Sequence, residues 1–320
     1  MLRDHGGNLD AARRRFGDGD WIDLSTGINR RPWPIPPLPS AVWTALPGEA
    51  AESRLVQVAA RCFRCPPEMV LPMAGASAPI QLLPRLLPPG RAAVLSRSYN
   101  EHGASLAAAG WDVIPAADLP AMEGAALAVV VNPNNPDGRE WQPAALAALA
   151  TRVGTLVVDE SFADPRPDLS LAPRLPGNAV VLRSFGKFWG LAGVRLGFAI
   201  AAPALLARLR EAQGPWAVSG PALEIGAMAM ADAVWADAEV VYHAEASLRL
   251  DRLTHRASWQ PVGGTHLFRL YAVPAAEAAQ ARLAEARIWS RRFPYSPHWL
   301  RLGIPGSRAE WDRLEAALRA

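Results

Sequence analysis

Lysine is almost missing from this chain. Of its 320 residues only Lys187 is a lysine, and every other member of the 33 lysines and arginines is an arginine. Arginine keeps the charge and the hydrogen-bond donors but is not deprotonated at usable pH, so it cannot form a Schiff base. Side-chain amine chemistry therefore has one place to happen. Cysteine is nearly as scarce, with only Cys62 and Cys65 in a single Cys-Phe-Arg-Cys. That pair cannot build a disulfide framework, and no second CxxC or HxxxH completes the four ligands of a structural zinc. It reads as two thiols near a helix end, and no metal is expected. No apolar run approaches the length of a membrane span, and no run of five like charges occurs. With a net charge of +3 and a densest basic cluster of only Arg13-Arg14-Arg15, a nucleic-acid partner is not expected. The opening Met1 to Asn8 is too polar for a signal peptide. The chain reads as a cytoplasmic protein that spans no membrane.

What is abundant is apolar sequence, half of all residues, enough for one large domain and a smaller one. Short continuous runs read as strands covered on both faces: Ala92 to Ser96, Leu127 to Val131, Thr155 to Val158, Ala179 to Arg183 and Leu196 to Ala201. Helix-length patterns alternate with them at Ala78 to Leu87, His102 to Ala109, Pro143 to Val153 and Pro203 to Glu211. That repetition predicts an α/β fold, a mostly parallel sheet flanked by helices. Proline-rich Arg31 to Pro39 reads as an extended connector. After Gly214-Pro215 come long helices, Pro221 to Trp235 and Ala238 to Ser258, then candidate strands Thr265 to Tyr271, Ile288 to Arg292 and Trp299 to Gly303. The expected division is an N-terminal arm over 1–40, a large domain over 41–213 and a small α+β domain over 214–320.

Polar residues follow the strand ends, where open α/β sheets bind ligands. Asn132-Pro133-Asn134-Asn135-Pro136-Asp137-Gly138 follows Val131, Asp159-Glu160-Ser161-Phe162 follows Val158, and the segment around Lys187 follows Leu182. Ala74-Gly75-Ala76-Ser77 precedes a helix whose backbone amides could hold a phosphate. Singly these are a turn, an N-cap or a helix start. In this order around a lone lysine they describe a site for an aldehyde cofactor with a phosphate and a pyridine ring.

These motifs, with Ser98-Tyr99-Asn100-Glu101-His102 and with Ser184-Phe185-Gly186-Lys187 followed by Arg195, resemble the fold-type-I pyridoxal-phosphate enzymes of the aspartate-aminotransferase superfamily, in the branch similar to histidinol-phosphate aminotransferases. The resemblance implies pyridoxal 5'-phosphate as cofactor. It implies that Lys187 carries the cofactor as a Schiff base and shuttles protons, and that Asp159 pairs with the ring nitrogen. Tyr99 would stack on the ring, Asn135 would bond its phenolic oxygen, and His102 would support Asp159. Ala76, Ser77, Ser184 and Arg195 would hold the phosphate. It also implies a homodimer with two-fold symmetry. Two positions depart from the family: Phe162 stands where many relatives have tyrosine, and Leu46-Pro47 where many have Tyr-Pro.

The chain ends bear on the reaction. His5-Gly6-Gly7-Asn8, the stretch Ile22 to Asn29, and the tail Arg291 to Gly303 resemble the threonine-phosphate decarboxylases of cobalamin biosynthesis. These convert L-threonine O-3-phosphate to (R)-1-amino-2-propanol O-2-phosphate. The resemblance implies that Arg301 binds the substrate carboxylate with Asn29 nearby, and that His5, Gly6, Gly7 and Asn8 with Arg291 or Arg292 surround a small substrate's phosphate. The alternative is a histidinol-phosphate or related aminotransferase, since the same cofactor site serves both reactions. A regulator built on this fold would carry a winged-helix module ahead of it, for which the residues before the first expected core helix are too few.

Overall fold

A computed structural model describes residues 5–319, so Met1 to Asp4 at the start of the arm, and Ala320, lie outside the described residues. Two compact units share the chain. Of the described residues, the larger comprises 33–135 and 139–236, the smaller 5–32, 136–138 and 237–319.

The larger unit is built on seven strands in the order Val70–Met73, Gly197–Ile200, Ala179–Ser184, Thr155–Asp159, Leu127–Val131, Arg91–Leu95 and Asp112–Ala116. Only Gly197–Ile200 runs antiparallel to its neighbours; the other pairings are parallel. All five residues of Leu127–Val131 are buried, as expected of a strand sandwiched between helices. Both edge strands escaped the sequence reading, and each contains a proline, Pro72 and Pro115. Proline lacks the amide that a central strand must donate, so it is confined to edges, where it also blunts pairing with other chains.

The expected helices occur, as Ser77–Leu86, Asn100–Ala108, Pro143–Ala150 and Pro203–Gln213. Glu49–Phe63 was not anticipated. Cys62 is in its last turn and Cys65 lies just beyond; the Cys62 thiol donates to the Met230 carbonyl at 3.1 Å. Burial pushes both thiols up, Cys65 to about 11, which works against thiolate chemistry at neutral pH.

Helix Gly220–Ala231, expected in the small domain, belongs to the larger unit, where it packs on Glu49–Phe63. A Cβ at Gly226 would come within 2.4 Å of Leu196 and 3.1 Å of Leu55, so glycine permits this close approach. The next helix, Ala233–Arg256, begins earlier than its pattern suggests, because Asp232 breaks the run and its carboxylate accepts the Trp235 amide at 3.0 Å.

The smaller unit carries a four-stranded antiparallel sheet in the order Arg291–Phe293, Ser296–Gly303, Phe268–Ala272 and Gln260–Thr265. The stretch Thr265 to Tyr271, read as one strand, holds the end of one strand, a turn at His266-Leu267 and most of the next. Ile288 to Arg292 likewise divides, because Ile288–Trp289 pairs in parallel with Ile22–Asp23 in a separate ribbon. The kink at Ser290 is held by Gln280, whose amide donates to the Ser290 carbonyl at 2.7 Å. Leu250, Tyr271, Leu283, Leu300, Leu302 and Leu314 form the core of this unit, all fully buried. No helix among the described residues is long and apolar enough to cross a membrane.

Candidate active site

A cavity of about 130 Å³ opens at the strand ends of the larger unit. Ala76, Ser77, Tyr99, Asn135, Asp159, Ser184, Lys187 and Arg195 all line it. Eight residues from six separate segments thus meet where the sequence reading expected one site. Gly75, Ser161 and Phe162 also line it.

Asp159 ends its strand 98% buried, with three hydrogen bonds to its carboxylate. His102 Nε2 lies 2.8 Å from Oδ2, with the His102 ring set edge-on to Tyr99 at 6.0 Å. Oδ1 accepts from the Ser161 amide at 2.9 Å and from the Ser161 hydroxyl. Burial opposes ionisation, but the bond and charge of His102 and the two Ser161 donors outweigh it and hold the carboxyl below the ordinary aspartate range. The carboxylate is therefore ionised at neutral pH. Its contribution to stability is present above the ordinary aspartate pKa and is lost as pH falls through the depressed native value.

Ser161 is a functional residue the sequence reading passed over. The signal was the Asp-x-Ser pattern, in which a carboxylate accepts the amide and hydroxyl two residues on. Asp23-Leu24-Ser25 has the same geometry in the smaller unit, where Asp23 Oδ1 accepts the Ser25 amide at 2.8 Å and hydroxyl at 2.6 Å.

Lys187 lies in the short helix Phe185–Phe188, with Nζ 5.7 Å from the centre of the Phe162 ring. Ser184 precedes the segment without a side-chain capping bond, and Arg195 adopts a left-handed backbone conformation with φ of 57°. That turn brings the Arg195 guanidinium so close to Gly75 that a Cβ there would sit 2.8 Å from it. A guanidinium, a serine hydroxyl and the first amides of Ser77–Leu86 make a donor set suited to a phosphate. The lysine amine, the buried carboxylate and the Asn135 amide suit the aldehyde, the ring nitrogen and the phenolic oxygen of the same molecule. The residues present therefore fit pyridoxal 5'-phosphate.

A buried ion network braces the two strands that carry Asp159 and Ser184. Arg183 donates to Glu160 at 3.0 Å and to Asp164 at 2.7 Å, and Glu160 also accepts from Ser170 and the Leu171 amide. Burial raises the Glu160 carboxyl above its ordinary range even against these partners. Arg183→Ala should cost about 3–5 kcal/mol in urea unfolding, because buried Glu160 and partly buried Asp164 lose their counter-charge. The deficit should be smaller at pH 5 than at pH 8, since protonating Glu160 relieves the unpaired charge. A loss below about 1 kcal/mol at pH 8 would mean that water reaches the carboxylates.

The smaller unit has its own cavity, about 860 Å³, lined among others by His5, Gly6, Asn8, Ser25, Arg291 and Arg292. Asn8 is also a helix cap, its side chain accepting the Ala11 amide at 3.0 Å. Arg292 is engaged by Gln280 at 2.7 Å and by Glu277 at 3.5 Å. Arg291 sits directly opposite Arg301 in the sheet register, which places the two on one face.

Arg301, 95% buried, donates to the Ser25 carbonyl at 2.7 Å and lies over the Phe268 ring at 4.8 Å. Burial first, then the charge of Arg291, push it down to about 9, with Tyr295 and Asp23 opposing. It remains a cation at neutral pH. Asn29 is enclosed, donating to Glu239 at 3.2 Å and accepting the Arg31 amide at 2.8 Å. Gly7 donates its amide to the Ser25 hydroxyl at 2.7 Å.

Residues 50–318 match the family model described as aminotransferase class I and II. A threonine-phosphate decarboxylase of Sinorhizobium sp is 43% identical, the match covering 98% of this chain and 97% of that one. Another, of Pseudomonas aeruginosa, is 44% identical over 99% and 97%. Among solved structures, histidinol-phosphate aminotransferase from Sinorhizobium meliloti in complex with pyridoxal-5'-phosphate superposes with a TM-score of 0.81 at 22% identity, covering 97% of this chain and 92% of that one. At that identity the likeness is one of fold.

Proposed function

The chain belongs to the class I and II aminotransferase family, and from that premise we propose that it is a pyridoxal-phosphate-dependent decarboxylase of L-threonine O-3-phosphate, acting in cobalamin biosynthesis. The near full-length similarity to two threonine-phosphate decarboxylases supports the reading. The observation that carries it is the smaller unit's provision for two anions: the buried cation Arg301 for a carboxylate, and the cavity of His5, Gly6 and Arg291 for a phosphate.

When bound, pyridoxal 5'-phosphate supplies an aldehyde for the substrate amine and a protonated pyridine ring that takes up the electrons of the breaking bond. The protein does the rest. Ala76 and Ser77 amides, the Ser184 hydroxyl and Arg195 would hold the cofactor phosphate. Asp159, kept ionised, would hold the proton on the ring nitrogen. Asn135 would donate to the phenolic oxygen, while Phe162 gives no second donor there. Decarboxylation replaces the bond from Cα to the carboxylate by a bond to hydrogen, so carbon dioxide leaves and one proton must reach Cα. Lys187 Nζ is the side-chain amine that would deliver it.

Arg301 would bind the substrate carboxylate, the group whose placement selects decarboxylation over transamination. Arg291, which stands opposite Arg301 in the sheet, is the arginine of the pair that would face the phosphate. The enzyme works in the cytoplasm, where its two free thiols are stable. It acts as a homodimer whose second copy covers exposed Ile35, Trp43, Leu46 and Trp216.

The test is incubation with L-threonine phosphate, with and without 2-oxoglutarate. Carbon dioxide should appear without the keto acid, and L-threonine should react poorly, because an empty anion site forfeits several charge-assisted hydrogen bonds. Arg301→Ala should lower kcat by about a hundredfold and KM by much less, since the phosphate still anchors the substrate. Glutamate formed from histidinol phosphate and 2-oxoglutarate, with no carbon dioxide from threonine phosphate, would establish an aminotransferase instead.

A further inference from the structure

Ser25 touches both anion-binding features of the smaller unit. It is 99% buried, and its side chain is fixed from below by Asp23 at 2.6 Å. On one side its hydroxyl accepts the Gly7 amide at 2.7 Å, and on the other its carbonyl accepts Arg301 Nη2 at 2.7 Å. Gly6 rests on that same carbonyl: a Cβ at position 6 would come within 2.4 Å of the Ser25 oxygen and 3.0 Å of its carbon. Contact at that distance with backbone cannot be relieved by a side-chain rotation, so something in the Ser25 peptide would have to move.

The segment is otherwise held in place. The Gly303 amide donates to the Leu24 carbonyl at 2.7 Å, so residues 24 and 25 run beside the strand that carries Arg301. The remaining contacts of Ser25 are with the arm, through Gly6 and the Gly7 amide.

We propose that Ser25 is a positioning residue that couples the seating of the Gly6–Gly7 turn to the direction of the Arg301 guanidinium. The inference rests on the reading that the arm meets a phosphate and Arg301 a carboxylate. Its consequence is that the two ends of the substrate are not read independently. An anion that draws the arm onto the Ser25 hydroxyl also fixes the carbonyl that aims Arg301. A substrate without the phosphate leaves the carboxylate less well oriented, so the missing group costs turnover as well as affinity.

Steady-state kinetics of the holoenzyme on L-threonine phosphate test the coupling. Ser25→Ala and Gly6→Ala should each lower kcat by about tenfold, the scale of one hydrogen bond to a charged group, and Ser25→Thr, which keeps the hydroxyl, should restore most of it. In an Arg301→Ala background neither change should alter kcat by more than about twofold, because both act through that guanidinium. Losses confined to KM, or losses of full size in the Arg301→Ala background, would overturn the proposal.

A measurement without substrate separates failure of the coupling from failure of the functional reading. The guanidinium NMR signal of Arg301, identified by its disappearance in Arg301→Lys, should shift in both Ser25→Ala and Gly6→Ala, and amide exchange over residues 5–8 should quicken. An unmoved signal in both variants overturns the coupling whatever the substrate proves to be. A moved signal in an enzyme inert toward threonine phosphate upholds the coupling and rejects the reaction.

Discussion

Lys187→Ala, loaded with pyridoxal 5'-phosphate, should lose the visible absorbance of lysine-bound cofactor and retain on the order of one part in 10⁵ of its turnover, the scale of removing a covalent catalytic group. No neighbouring amine can take over, since the remaining basic side chains of the chain are arginines and histidines. The scarcity of lysine also makes the attachment test unusually clean. Borohydride reduction of the wild type should fix the cofactor on one internal peptide, that containing Lys187, with the terminal amine the only other primary amine available. Label on any other internal peptide, or a wild type that stays colourless after reconstitution, contradicts the assignment of the cavity.

Asp159→Asn should lower turnover by about 10²–10³-fold, roughly 3–4 kcal/mol, as removal of a main electrostatic contact does. The amide is nearly the same shape, so it can keep the Ser161 amide bond, and cofactor binding should fall far less than kcat. The charge is what is lost. An ionised carboxylate held below its usual pKa by His102 and Ser161 would keep a proton on the ring nitrogen, whereas an amide could not. Comparing the cofactor dissociation constant with kcat in the same preparation checks the split. A fall in turnover of less than about tenfold would mean that another group serves the nitrogen.

The cavity around Lys187 was legible because its chemistry is carried by rare residues in short local patterns. Every cofactor residue expected from those patterns lines one cavity, or, for His102, stands directly behind Asp159. The smaller unit was legible only in part. Its strands were placed near their true positions, but Ser290 divides one of them between two sheets, and a kink set by a glutamine ten residues away leaves no mark on local hydrophobicity. Asn29 donates to Glu239 and accepts the Arg31 amide; nothing near it in sequence announces a glutamate on a distant helix.

By itself the sequence determined the parallel sheet, since continuous apolar runs tolerate only burial on both faces. It determined the place of amine chemistry too, since one lysine leaves no choice. Tertiary structure alone decided the division of the chain at 32/33 and 236/237 and the proline-bearing edge strands. It also decided which of two adjacent arginines shares a face with Arg301, and what the serines of Asp159-Glu160-Ser161 and Asp23-Leu24-Ser25 do. The physical reason is common to these cases. A backbone pattern repeats within a few residues and can be read along the chain, whereas the partner of a hydroxyl or a guanidinium is set by strand register and close approach through space.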